Sequence, residues 1–168
     1  MANPADVASI DAIIAAAYDV ISGPAGQERD WNRERSLFIP GARLIPTAAK
    51  PGVTSESKPD GHFGQITSES KIAPQILDVE AYIARSRGYL EKDGFFEKEI
   101  ARRTEQFGHI AHVWSTYESR HQMDDPQPFM RGINSIQLVY KEGRWWIVTI
   151  YWQHESPDNL IPGKYLRR

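Results

Sequence analysis

The sequence predicts an α+β protein, with helices gathered on one face of an antiparallel sheet. Three observations carry this. Apolar residues recur at helical spacing near the N-terminus, at Val7, Ile10, Ile14, Ala17, Tyr18 and Ile21. A similar stripe follows Asp78, through Val79, Tyr82, Ile83, Ser86 and Leu90. The last third, Gly108 to Glu155, is rich in β-branched and aromatic residues broken by polar turns, so it reads as long strands. Helices first and antiparallel strands last make an α+β domain rather than an alternating α/β one.

The elements follow in order. Pro4 and Asp6 open the first helix, and Ser22-Gly23-Pro24 stops it. Asp30 is placed to cap a short second helix holding Trp31, Arg35, Leu37 and Phe38, which Pro40-Gly41 ends. Ala42–Thr47 reads as a first strand. From Ala48 to Ser70 the chain is rich in Pro, Gly, Ser and Lys, so a mobile flap is expected there, with room for a minor hairpin around His62–Thr67. Lys71–Leu77 suits an edge strand, because Pro74 has no N–H for a central ladder. Asp78 caps the third helix, Asp93-Gly94 turns the chain, and Phe95–Phe107 is an unusually charged strand. Three strands follow, about His109–Gln122, Phe129–Lys141 and Arg144–Glu155. The chain 1–168 reads as one domain, with 48–70 a long loop and 156–168 a C-terminal arm.

The turn Glu142-Gly143 sets the register of the last hairpin, since Gly accepts positive φ there. Lys141 is expected opposite Arg144, Leu138 opposite Ile147, Ile136 opposite Thr149 and Asn134 opposite Tyr151. Alternation then puts Asn134, Ile136, Leu138, Trp145, Ile147 and Tyr151 on one face. The other face carries Ile133, Val139, Trp146, Val148, Ile150 and Trp152. Both faces are largely apolar, so one is expected to pack on the helices and the other to form a homodimer through that second row.

Composition excludes several classes. The chain has 168 residues, 40% of them hydrophobic and 25% charged, with a net charge of −2 and no basic block, so no nucleic-acid partner is expected. No apolar run approaches the ~20 residues of a membrane span. The N-terminus lacks the charged and apolar regions of a signal peptide. There is no cysteine, which removes thiolate chemistry and fits a reducing cytoplasm. His109 and His112 are three apart on a strand and point to opposite faces, so neither a metal site nor a cofactor is expected.

The stretches DAIIAAAYDVISGPAG, RDWNRERSLFIPGARLIPT, DVEAYIARS, GFFEKE, HIAHVWSTYESR, RGINSIQL and GRWWIVTIYWQ, taken in this order, resemble the nuclear transport factor 2-like superfamily, also called SnoaL-like or cystatin-like. The resemblance covers nearly the whole chain. It implies a curved antiparallel sheet wrapped around three N-terminal and mid-chain helices, enclosing a conical pocket. The superfamily hosts many unrelated activities, so the fold does not name a reaction.

Candidate residues follow from that pocket. On the strand before the hairpin, His112, Trp114, Thr116 and Glu118 share a face by period two, and this face is expected to point inward. His112 titrates near neutrality, and Asp30 is its candidate partner; dehydratase-like and SnoaL-like enzymes use Asp and His in such cones. The candidate ligand-binding set is Tyr18, Trp31, Tyr82, Trp114, Glu118, Asn134 and Tyr151. Plain structural roles compete: Asp30 as a helix cap, His112 as a hydrogen-bonded histidine, Glu118 in an ion pair, and Glu97 and Glu99 in a salt-bridged rim. Arg43–Ala49 lacks the carboxylate that ketosteroid isomerases carry after the first long strand. The expected function is a small-ligand-binding cone, with cofactor-independent isomerase or lyase chemistry by proton transfer on a small apolar molecule. The alternative is a non-catalytic homodimeric module with a filled cone.

Overall fold

The structure, a computed structural model, describes residues 1–49 and 72–167. Two helices stand where one was expected at the N-terminus, α1 (Pro4–Val7) and α2 (Ile10–Ile21). The break falls at Ser9, whose Oγ accepts the Ala12 N–H at 3.1 Å and starts a new helix. The next helix, α3 (Trp31–Leu37), is capped by Asp30, which accepts the Arg33 N–H at 2.9 Å. Arg33 in turn grips Asp6 and Asp19, tying the three helices together. Asp78 caps α4 (Val79–Lys92) in the same way, at 2.7 Å from the Ala81 N–H.

Six strands form one sheet: β1 (Phe38–Ala49), β2 (Ile72–Pro74), β3 (Phe96–Phe107), β4 (Ile110–Arg120), β5 (Met130–Lys141) and β6 (Arg144–His154). Their order is β2-β1-β6-β5-β4-β3. β1 runs parallel to β6, and every other pairing is antiparallel. β1 starts at Phe38 rather than Ala42: Pro40-Gly41 lies inside it, in the irregular stretch between the Phe38–Ile147 and Arg43–Thr149 pairs, and Gly41 takes φ +85°. β2 is an edge strand, as Pro74 requires, and a bridge between Leu44 and Leu77 extends it. The hairpin expected at His62–Thr67 lies outside the described residues, and of the flap expected over Ala48–Ser70 only Ala48 and Ala49 are described, as the end of β1.

The register of the last hairpin holds near its turn and then slips. Glu142 and Gly143 both have positive φ, 56° and 79°, the twist a two-residue hairpin needs. Lys141 pairs with Arg144 and Leu138 with Ile147, as expected, but Gln137 pairs with Thr149. Val148 is the extra residue of a β-bulge, and past it every side chain of β6 changes face. Ile150 and Trp152, expected outside, face the helices; Tyr151, expected inside, is on the outer face.

The core lies between the helices and the inner face of the sheet. Ile13, Ile14 and Tyr18 of α2 meet Val113, Tyr117, Ile136, Leu138 and Ile147. The C-terminal arm crosses the outer face. Thr116 Oγ1 donates to the Tyr165 carbonyl at 2.7 Å, Arg103 donates to the Lys164 carbonyl at 3.2 Å, and Trp114 packs on the Tyr165 ring. Part of the face left bare by the helices is therefore covered by this chain itself. Among the described residues no helix is long and apolar enough to cross a membrane.

Candidate functional site

Between the helices and the inner face of the sheet lies an open cavity of about 360 Å³. Small-molecule sites run from about 300 to 1,000 Å³. Leu44, Phe95, Met130, Ile136, Ile150 and Trp152 give it apolar walls. Each long strand contributes alternate residues, so the polar lining is set by parity: Glu97 from β3, Tyr117 from β4, Asn134 from β5 and His154 from β6. The helices add Tyr18, Glu34 and Tyr82.

These polar groups form a directed network. Ser115 Oγ donates to Glu99, so its single proton is committed, and Tyr18 Oη at 2.7 Å must donate to Ser115. Asn134 Nδ2 then donates to Tyr18 Oη at 3.0 Å. Glu97 Oε2 accepts from Ser119 Oγ at 2.8 Å. Its carboxyl is pushed up to about 7 by burial, against the opposing pull of hydrogen bonds from Ser119 and Asn134. By accessible surface Glu97 is only half-buried. Its side chain lines the cavity wall. Glu34, 2% exposed, is pushed up to about 8 by burial alone. Burial also raises the Tyr18, Tyr82 and Tyr117 hydroxyls, keeping them protonated, and lowers His154, whose Nδ1 lies 2.9 Å from Tyr117 Oη.

Of the residues singled out from the sequence, Tyr18, Tyr82 and Asn134 meet in this cavity. The others lie elsewhere. Asp30 is an exposed helix cap. Trp31 is buried beneath the site, with its indole N–H on Glu91 at 3.0 Å. His112 is on the outer face, 3.0 Å from Ser135 Oγ, because the inward residues of β4 are Ala111, Val113, Ser115 and Tyr117. Asp30 and His112 therefore share no site. Trp114 packs under the C-terminal arm. Glu118 is ion-paired with Lys98 and Arg120; burial pushes its carboxyl up, but these partners outweigh it and hold it below the usual range. Tyr151 is 45% exposed on the outer face, displaced by the Val148 bulge.

Sequence reasoning missed Glu97, Glu34, Tyr117, Trp152 and His154. Their sequence context suggests a shared salt-bridged rim for Glu97 and Glu99. Glu99 does pair with Arg102 at 2.8 Å, but Glu97 faces in. The signal for Glu34 was present: it falls three residues after Trp31 and three before Leu37, on the buried stripe of α3. Among the described residues no group of three His, Asp or Glu side chains is arranged to hold a metal ion.

The chain has the nuclear transport factor 2-like, or cystatin-like, fold. A nuclear transport factor 2-like protein of unknown function from Shewanella baltica matches 88% of this chain and 91% of its own, with TM-score 0.51 and 12% identity. A protein of unknown function with a cystatin-like fold from Nostoc punctiforme matches 88% and 90%, with TM-score 0.59 and 10% identity. A nuclear transport factor 2-like protein of unknown function from Silicibacter pomeroyi matches 88% and 94%, with TM-score 0.53 and 16% identity. No protein-family model and no curated protein matches the chain. At these identities the likeness carries the fold alone.

Proposed function

We propose that the cone binds a small, largely apolar molecule and that Glu97 moves a proton on it, as in a cofactor-independent isomerase or lyase. The observation that carries this is the Glu97 carboxyl itself. It stands in the wall of an open apolar cavity, held by Ser119, with Asn134 and Tyr18 beside it. A carboxyl that gives up its proton near neutrality is matched to general base work at working pH. Asn134, hydrogen-bonded to both Tyr18 and Glu97, holds the carboxyl in place at the cavity wall. The Asp30 and His112 pair has no part in this reading. The alternative, a module with a filled cone, is less well supported, because the cavity is open.

Nitrobenzisoxazole tests the proposal without a known substrate, since its ring opens on removal of one proton by a base in apolar surroundings. The protein is expected to accelerate ring opening by about 10²–10⁴-fold over free carboxylate, the contribution of a positioned general base. The rate is expected to rise with pH and level off above about 7, because the ionised form of Glu97 is the base. Glu97→Gln is expected to abolish the acceleration while the fold and probe binding persist. Equal activity in wild type and Glu97→Gln would defeat the proposal.

A further inference from the structure

Glu34 is not used by that reaction, yet it is the most unusual group in the cavity. It lies on α3, is 2% exposed, and lines the same space as Glu97. Its Oε2 is fully buried and has no hydrogen-bond partner among the described residues. A buried carboxylate oxygen left in this state is costly, and native proteins seldom tolerate it without a reason. No described residue compensates it. The one fixed cation among the described lining residues is Arg85, which is exposed on α4, and no charged neighbour offsets the burial of Glu34.

From this geometry we infer that the cone takes an organic amine, with its ammonium group on Glu34 and its apolar body against the aromatic wall. The inference rests on the reading of the cone as a small-molecule site and names the ligand class. Three features select a cation over a neutral or anionic molecule. An ammonium group brings a positive charge and three donors, so its arrival drives the Glu34 proton out to solvent and gives the ionised Oε2 the donor it lacks. A second carboxyl, Glu97, lines the cavity, and both carboxyls act electrostatically on the Tyr82 hydroxyl, so they border a common space. A positive ligand favours ionisation of both, whereas an anion meets repulsion from both. The walls around them hold Tyr82 edge-on to Trp152, with ring centroids 6.1 Å apart, and also Phe95. Aromatic faces attract cations and accept flat apolar bodies.

The test compares three ligands with one bicyclic body and different charge: tryptamine, tryptophol and indole acetate, titrated by calorimetry at pH 7. Tryptamine is expected to bind about ten-fold or more tightly than tryptophol, the range of a charge-assisted hydrogen bond, and indole acetate not measurably. Glu34→Gln is expected to remove the preference, weakening tryptamine about ten-fold and leaving tryptophol within about two-fold. Tryptophol binding as tightly as tryptamine would overturn the amine assignment and leave the small-molecule reading standing. Binding by none of the three would overturn both. If Glu34→Gln fails to fold, the wild-type series decides by itself.

Discussion

Glu34 shows how one residue can set the pH response of the fold. In the folded chain its carboxyl is raised from 4.5 to about 8 by burial. Between those values the unfolded state has released its proton while the folded state retains it, so stability falls as pH rises. The contribution is fully present below the unfolded value and lost as pH passes the folded one. Glu97, raised to about 7, acts in the same direction. Glu34→Gln keeps the shape and removes the titration. It is expected to raise the melting temperature at pH 8 by on the order of 5 °C relative to wild type, and to change little at pH 4. Thermal denaturation at the two values checks this, and a gain at pH 4 equal to that at pH 8 would show that Glu34 is ionised throughout. Tyr18 gives a second residue-scale test. Tyr18→Phe deprives Asn134 of an acceptor and Ser115 of its donor, and is expected to cost about 1–3 kcal/mol in urea denaturation.

At the scale of elements, single extra residues decide what faces the cavity. Val148 is the residue that turns Ile150 and Trp152 inward. Deleting Val148 restores a regular register and sends Trp152 to solvent and Tyr151 to the core, so the deletion is expected to abolish probe binding and to destabilise or unfold the chain. Retention of both binding and melting temperature would contradict the assigned register. Gly132 is a tighter constraint: a Cβ there would lie 2.4 Å from Tyr117 Oη and 2.6 Å from the Gln153 carbonyl. Gly132→Ala is expected to cost about 1–3 kcal/mol and to disturb the Tyr117–His154 contact.

The same bulge marks the limit of what sequence could supply. Helix caps at Asp30 and Asp78, the Glu142-Gly143 turn and the edge strand at Pro74 each depend on local chemistry, and each was legible. The parity of β4 and β6 depends on pairing geometry across strands, which leaves no local mark, so His112 and Tyr151 were placed on the wrong face. Tyr18, Tyr82 and Asn134 were found because helical stripes and the part of the hairpin built on β5 escaped the slip. Glu97 carries no such local signal, and the stripe position of Glu34 is a weak one, because a charged residue in a short helix or an outer strand is usually solvated.

For the whole molecule, the second face of the sheet stays partly bare, though less apolar than expected. Ile150 and Trp152 have left it, and the C-terminal arm covers Thr116 and Trp114. What remains is a groove of Ile45, Pro74, Ile76 and Tyr151, with Ile133, Val139 and Trp146 on the same side. We propose a homodimer through this face, burying about 1,200–2,000 Å² in total. Light scattering at micromolar concentration is expected to give twice the chain mass, and Tyr151→Arg to give a monomer with the fold intact. A wild-type monomer mass would dismiss the dimer without touching the cavity.

The proposed chemistry depends on an ionisable carboxyl, Glu97, in the wall of a ligand-sized apolar cone. Carbon NMR titration of the Glu97 carboxyl, assigned by comparison with Glu97→Gln, reads this directly. A midpoint near 7 is predicted. A midpoint at or below the ordinary 4.5 would mean that Glu97 is solvated, and that the proposed chemistry has no base.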